Sequence, residues 1–306
     1  MQVARKLSLL VIISLLCAST AHAQSASNPD WQTAAGGKMS FDVASVRPTP
    51  PGQFTRPSFP LGPDRSYHPT GGEFSAVFPL NVYIQFAYKL WLTPEQQEAL
   101  LARFPAWTKT EKFTIKARGP VDATKDQMRL MMQSLLAERF GLKMHFEERE
   151  TAVLVMTLAH PGKLGPKLHL HSEGPSCDEA IPAPPEGTVP PVFPLGCDDA
   201  GVFFDGKHPA MLGARDTTLD LMALSLPWLG NVGRPIVNHT GLQGRYDYTL
   251  TWALNPEGAP LPPDSEALNA PSFLEALKEQ LGMRLDSAKL PIQVLVVDHI
   301  EQPSEN

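Results

Sequence analysis

Two histidine–carboxylate groups occupy comparable places in the chain: His145-Phe146-Glu147, and Asp298-His299-Ile300-Glu301. A histidine beside a carboxylate can act as an acid–base pair. Strand alternation would put His299 and Glu301 on one face and Asp298 on the other. His145, Glu147, His299 and Glu301 are therefore the catalytic candidates of the alternative reading, an extracytoplasmic hydrolase with or without a metal. A charged turn explains the first group equally well, and a polar strand end explains the second. No nucleophile or further ligand stands beside either. His169-Leu170-His171 has the spacing to present two imidazoles from one strand face to a metal. It sits in a charged, Gly- and Pro-rich stretch and reads as a solvated loop. GxSxG, HExxH, P-loop, GxGxxG and paired CxxC motifs are all missing from the sequence. No metal and no cofactor is expected.

The stretch Gly233–Trp252, GRPIVNHTGLQGRYDYTLTW, concentrates polar and aromatic residues around three glycines. Asn238–Gly244 is a run of turn formers. From Arg245 onward Tyr246, Tyr248, Leu250 and Trp252 alternate with Asp247, Thr249 and Thr251, which reads as a hairpin with an aromatic face. Its glycines have a structural explanation, so the stretch is read as architectural. Tyr246, Tyr248 and Trp252 are the ligand-binding candidates if that face lines a groove.

The elements that position these groups start after an export signal. Arg5 and Lys6 precede the apolar run LSLLVIISLLCAS, and Ala21-His22-Ala23 fits a small-x-small cleavage site. Cleavage before Gln24 is expected, leaving a periplasmic or secreted protein without stable membrane insertion. Taking Arg5 and Lys6 from a chain of net charge −6 leaves −8. That balance argues against nucleic acid as a partner. Cys177 and Cys197 then remain, and an even count in an exported chain favours a disulfide. Closing their Pro-rich loop would contribute about 3 kcal/mol in the chain-entropy model.

Periodicity places strands at Phe41–Pro48, Glu73–Pro79, Lys112–Gly119 and Arg245–Leu254. It places helices at Leu80–Trp91, Leu92–Phe104, Lys125–Phe140 (capped by Thr124), Thr217–Leu229 (capped by Asp216 or Thr217) and one capped by Ser272 and ended by Gly282. LKMHFEERE and TAVLVMTLA read as two strands of a hairpin. LPIQVLVVDHIEQP reads as the last strand, and both apolar runs are continuous enough for the middle of a sheet.

LLAERFGLKMHFEERETAVLVMTLAHP laid against LKEQLGMRLDSAKLPIQVLVVDHIEQP gives the same succession of elements. The chain therefore reads as two copies of a strand-helix-strand-helix-strand-strand unit. The expected organisation is a signal at 1–23, a disordered linker at 24–39, a first repeat at 40–161, a Pro-rich disulfide-closed excursion at 162–209 and a second repeat at 210–306. The fold class is α+β, around mainly antiparallel sheets.

Several of these segments carry a resemblance. VNHTGLQGRYDYTLTW resembles the signature V-D-K-T-G-L-x-G-x-Y-D-F-x-L-x-W of the soil-associated TIGR03435 family, whose domain is called DUF3738. FDVASVRP, Phe104-Pro105-Ala106-Trp107 with KFTIKARG, LLAERF with His145 and Glu147, and the C-terminal segment match further motifs. The resemblance implies a secreted protein and no catalytic class. Asn238 and His239 stand where the family pattern has Asp and Lys. Together these readings favour an exported, non-catalytic binding or interaction protein, its partner an envelope component, a carbohydrate or a peptide.

Overall fold

The computed structural model describes residues 30–172, 197–198, 200–204, 208–254 and 265–303. In chain order the elements are α1 (Asp30–Ala34), β1 (Val43–Pro48), β2 (Glu73–Pro79), α2 (Leu80–Ala87), α3 (Pro94–Leu101), α4 (Trp107–Thr110), β3 (Lys112–Arg118), α5 (Lys125–Arg139), β4 (Lys143–Leu158), β5 (Leu168–Leu170), β6 (Ala200–Phe203), β7 (Ala210–Thr217), α6 (Leu219–Leu229), β8 (Ile236–Asn238), β9 (Tyr246–Trp252), α7 (Phe273–Ala276, continued by a π turn over Leu277–Leu281) and β10 (Met283–His299). The fold is α+β, and its sheets are mainly antiparallel.

Two lobes share one ribbon. The first lobe holds the sheet β1-β3-β2, and the second holds β5-β9-β7-β6. Between them β10-β4-β8 form a third sheet. β4 and β10 pair antiparallel over almost their whole length, from Met283↔Leu158 to His299↔Lys143. Met144 and Phe146 of β4, with Leu295 and Val297 of β10, pack on the first core. Leu154 and Met156, with Met283 and Leu285, pack on the second. Each long strand thus ends in a different lobe, so neither core is complete without both.

The first core is rich in aromatics, with Phe59, Phe74, Phe86, Phe113 and Phe140 in stacked, tilted or edge contacts. α5 covers it with the expected stripe of Met128, Met131, Met132, Leu135 and Leu136. The Thr124 hydroxyl accepts from the Gln127 N–H, and the Gln127 side chain accepts from the Thr124 N–H, a full capping box. Ser272 and Glu275 make the matching box on α7. Gly141 and Gly282 end these two helices with φ of 57° and 72°, the left-handed region that glycine enters freely.

Several expectations need correction. Residues 143–158 are one strand, not a hairpin: Glu147–Glu150 holds no turn-forming residue, and its charges stand on the exposed middle of the ribbon. The same holds for 283–299, which the sequence divides at its charged middle. β10 lies at a sheet edge, with only β4 central. β8 and β9 do not pair with each other. β8 runs parallel to β4, while β9 lies between β5 and β7. The cap of α6 is Thr218 rather than Asp216 or Thr217. Part of the proposed disordered linker is built, since α1 starts at residue 30 and the Met39 carbonyl accepts from the Ser134 hydroxyl. Part of the excursion is sheet, because β5 and β6 flank the second lobe. The export signal and Cys177 lie outside the described residues.

Pro291 sits opposite Glu150 inside the ribbon. The Leu154 N–H donates to the Pro235 carbonyl at 2.8 Å, so Leu154 turns its backbone groups away from β10. Antiparallel pairs alternate, so Glu150 and Ala152 do the same. Pro291 therefore occupies a pair that exchanges no hydrogen bond, and its missing N–H costs the ladder nothing.

Candidate functional site

Where the lobes face each other beside the ribbon, a cleft of about 750 Å³ opens. That volume falls in the range of small-molecule and peptide-segment sites. One wall comes from the first lobe: Trp31, Leu90, Trp91, Leu92 and α3 with Arg103. The other comes from α6 and the approach to β8, with Leu224, Pro227, Arg234 and Asn238. The floor is the ribbon, through Phe146, Arg149, Ala152, Gln293 and Leu295.

Local sequence explains both walls. Thr93 caps α3 with a capping box and Pro94 takes its first turn, which fixes where α3 starts. On the other side α6 stops at Gly230; Asn231 (φ 50°) and Gly233 (φ 67°) then reverse the chain into β8. A Cβ at Gly233 would stand 3.0 Å from Glu95 Oε1, so the walls touch there. The Asn238 amide donates to Asp220 at 2.8 Å, and its oxygen accepts from the Thr240 N–H and hydroxyl. Asn238 is thus spent on closing the turn that follows it.

The lining is mostly apolar and its charge is lopsided. Lys89, Arg103, Arg149 and Arg234 stand against Glu95 and Asp220, in a chain whose net charge is −6. Arg103 has no partner among the described residues. Arg149 pairs with Glu147, and Arg234 donates to Ser287 at 3.1 Å. Lys89 lies 5.5 Å over the Trp31 ring and 3.4 Å from Asp126. Burial pulls its pKa below the ordinary lysine value, against the pull of Asp126.

A charged seam behind the cleft locks the lobes together. Lys125, 4% exposed, bonds Asp64 at 3.0 Å. Arg129, 1% exposed, pairs with Asp126 and donates to the Gly62 and Asp64 carbonyls at 2.8 and 3.0 Å. These bonds pin the loop between β1 and β2 onto α5. From that loop Arg65 reaches Asp198 at 3.5 Å, and Asp198 also binds Arg245 of the second lobe. Burial lowers the Lys125 pKa to about 8 and raises that of Asp198.

The residues singled out in the sequence lie elsewhere. Tyr246, Tyr248 and Trp252 are 4%, 2% and 1% exposed and belong to the second core; none lines the cleft, and Tyr248 touches only a separate cavity of about 50 Å³. Their alternation marks a buried face, which periodicity alone does not separate from a binding face. His145, Glu147, His299 and Glu301 lie at one exposed end of the ribbon, and none of them lines the cleft. His145 Nδ1 is 2.9 Å from Asp298, while its Nε2 faces Glu147 at 4.0 Å. The two carboxylates address opposite ring nitrogens, so the trio cannot close on one ion. Among the described residues no group of three or more His, Cys, Asp or Glu could hold a metal. His169-Leu170-His171 begins in the edge strand β5, and His171 is held by Asp247 at 2.9 Å. Cys197 is buried beside β7, bridged to Arg215.

Sequence reasoning missed the cleft residues because they come from five separated segments. A usable signal was present in Leu90-Trp91-Leu92-Thr93-Pro94: the helices expected there end at Ala87 and start at Pro94, leaving two leucines and a tryptophan in the connection before the Thr93 cap.

The architecture defines a two-lobed α+β protein with a cationic, largely apolar cleft over a shared strand ribbon. The chain belongs to the DUF3738 family, a domain described as a protein of unknown function, whose match spans residues 81–300. No curated protein and no solved structure matches the chain.

Proposed function

We propose that this is an exported binding protein, not a catalyst, and that the cleft between its lobes takes an elongated, mainly apolar ligand carrying an anionic group. The observation that supports this reading is the convergence of apolar side chains with Arg103, Arg149 and Arg234 in one cavity of about 750 Å³. An envelope component or a peptide fits this chemistry better than a carbohydrate, since stacked, accessible aromatic pairs are not what the cleft offers. The hydrolase alternative would use His145, Glu147, His299 and Glu301, none of which reaches the cleft. Export through cleavage before Gln24, a Cys177–Cys197 disulfide and an origin of the lobes by duplication complete the proposal. The last is supported by the shared order strand, helix, strand, helix, long strand in each lobe.

The apolar anion 8-anilinonaphthalene-1-sulfonate tests the site. The chain from Gln24 should bind it with a fluorescence gain. Leu224→Glu, placed in the wall, should weaken binding at least tenfold; Leu274→Glu, exposed on α7 outside the lining, should not. A folded Leu224→Glu protein that binds the dye unchanged defeats the proposal.

A further inference from the structure

β8 covers β4 only from Leu154 to Met156. Among the described residues, no strand lies on that side of β4 from Lys143 to Ala152. The uncovered edge runs along the floor of the cleft, where Phe146, Arg149, Thr151 and Ala152 line it. The alternation established by Leu154 turns the N–H and C=O of Ala152 and Glu150 toward this edge. An unpaired row of donors and acceptors is a template for another strand. The outer edge of β10 differs: Pro291 removes a donor from it, which blunts it against pairing.

Resting on the cleft reading above, we propose that the ligand is an extended peptide bearing acidic side chains, which adds as a strand to β4 in the lane that β8 occupies further along. Main-chain bonds to Ala152 and Glu150 hold the peptide, and alternate side chains fall on the two walls. Ala152 leaves room for a backbone to approach. Arg103, Arg149 and Arg234 select for carboxylates. Glu148 and Glu150 share a strand face with Phe146 and Ala152 but are exposed to solvent and outside the lining.

The probes are capped octapeptides alternating aspartate with valine, leucine or phenylalanine, read by displacement of the dye from the chain beginning at Gln24. At least one should displace it. Methylating its alternate amide nitrogens, which removes donors and keeps every side chain, should weaken it tenfold or more. Replacing aspartate by lysine should do the same. Ala152→Pro removes one of the N–H groups aimed at the lane and leaves the β10 ladder intact. It should weaken the parent peptide tenfold and the methylated peptide far less, each read against the variant's own dye affinity. If no peptide competes while Leu224→Glu still weakens dye binding tenfold, strand addition is overturned and the cleft reading stands. If methylated peptides in both methylation registers bind as well as the parent, strand addition is likewise overturned. If Ala152→Pro does not fold, the methylated peptides decide alone.

Discussion

In the first lobe the stretch between its first long helix and the next sheet strand, Tyr88–Glu111, carries two helices, α3 and α4. The corresponding stretch of the second lobe, Gly230–Arg245, carries a tight reversal, the short strand β8 and a glycine-rich loop. Elsewhere the lobes run alike: β2-α2 and β7-α6, β3 and β9, α5 and α7, then a long shared strand. These two unlike stretches are the ones that face each other across the cleft and supply much of its lining. The difference separates two jobs. The like parts bury cores and make the ribbon, whereas the unlike parts shape a cavity. The first lobe has no counterpart of β8 on β4, and that is what leaves the edge of β4 open among the described residues.

The shared ribbon makes a strong claim about cooperativity. Phe113 and Trp252 are fully buried, one in each core. Phe113→Ala and Trp252→Ala should each cost about 3–5 kcal/mol. Each should also lower one common unfolding transition, seen alike by far-UV circular dichroism and tryptophan fluorescence. Two separable transitions, each moved by one variant only, would break the argument that neither core stands alone.

The lobes also hold their loops with arginines of unequal burial. Arg129 is almost wholly buried, and its guanidinium lies 5.5 Å from the centre of the Phe86 ring. Arg129→Met would leave Asp126 only Lys89 at 3.4 Å and strand two carbonyls, at a cost of about 3–5 kcal/mol. Arg245 serves Asp198 and Asp216 from a side chain 30% exposed, where water replaces part of what is lost. Arg245→Met should cost about 1–2 kcal/mol. Urea midpoints would compare the two, and the reverse order would mean that the seam is anchored from the second lobe.

Local physics was readable and long-range pairing was not. Capping boxes at Thr124 and Ser272, the glycines at 141 and 282, and the apolar stripe of α5 all follow from contacts within a few residues. The strands β1, β2, β3 and β9 stood where alternation put them. The ribbon failed because its middle, Glu147–Glu150 and Asp286–Lys289, is exposed and charged; alternation rules expect such residues in turns, yet here they cross open ground between two cores. Lys125 and Arg129 were hidden for the opposite reason. Their partners Asp64 and Gly62 lie over sixty residues away, so nothing nearby marks them as buried. The cleft was illegible because no single segment carries it.

The helix-ending glycines allow a finer comparison of the lobes. Both adopt positive φ, which costs a residue with a Cβ about 1–2 kcal/mol. A Cβ on Gly141 would meet only the Glu301 carboxylate, at 2.8 Å, and that side chain is exposed and can swing away. A Cβ on Gly282 would lie 2.6 Å from the Gly165 nitrogen and 3.0 Å from the Leu164 carbonyl carbon. Those are backbone atoms of the strap leading to β5, and they cannot yield without moving the sheet edge. Gly282→Ala should therefore destabilise more than Gly141→Ala, by at least 1 kcal/mol, read as a difference in melting temperature. Equal effects would show that the strap is loosely held.

The smallest effect changes only in alkali. Tyr248 lies in the second core with its hydroxyl bonded to Ser225, and burial raises its pKa above the ordinary tyrosine value. The folded state therefore keeps the phenolic proton at a pH where the unfolded chain releases it, near pH 10. Stability from this group is fully present below about pH 10 and falls as pH rises beyond it. Lys125 works the other way. Its folded pKa of about 8 lies below the unfolded value, so its contribution rises with pH from about 8 upward and levels off near pH 10.4. Tyr248→Phe leaves Lys125 untouched, so that contribution cancels between wild type and variant. The variant should be less stable by about 1 kcal/mol at pH 7, the worth of one buried hydrogen bond. The gap should hold to about pH 10 and then narrow as wild type alone loses stability. A gap that stays constant to pH 11 would mean that Tyr248 ionises in the folded protein as readily as in the unfolded chain. The second core would then admit water where the first, around Tyr83, does not.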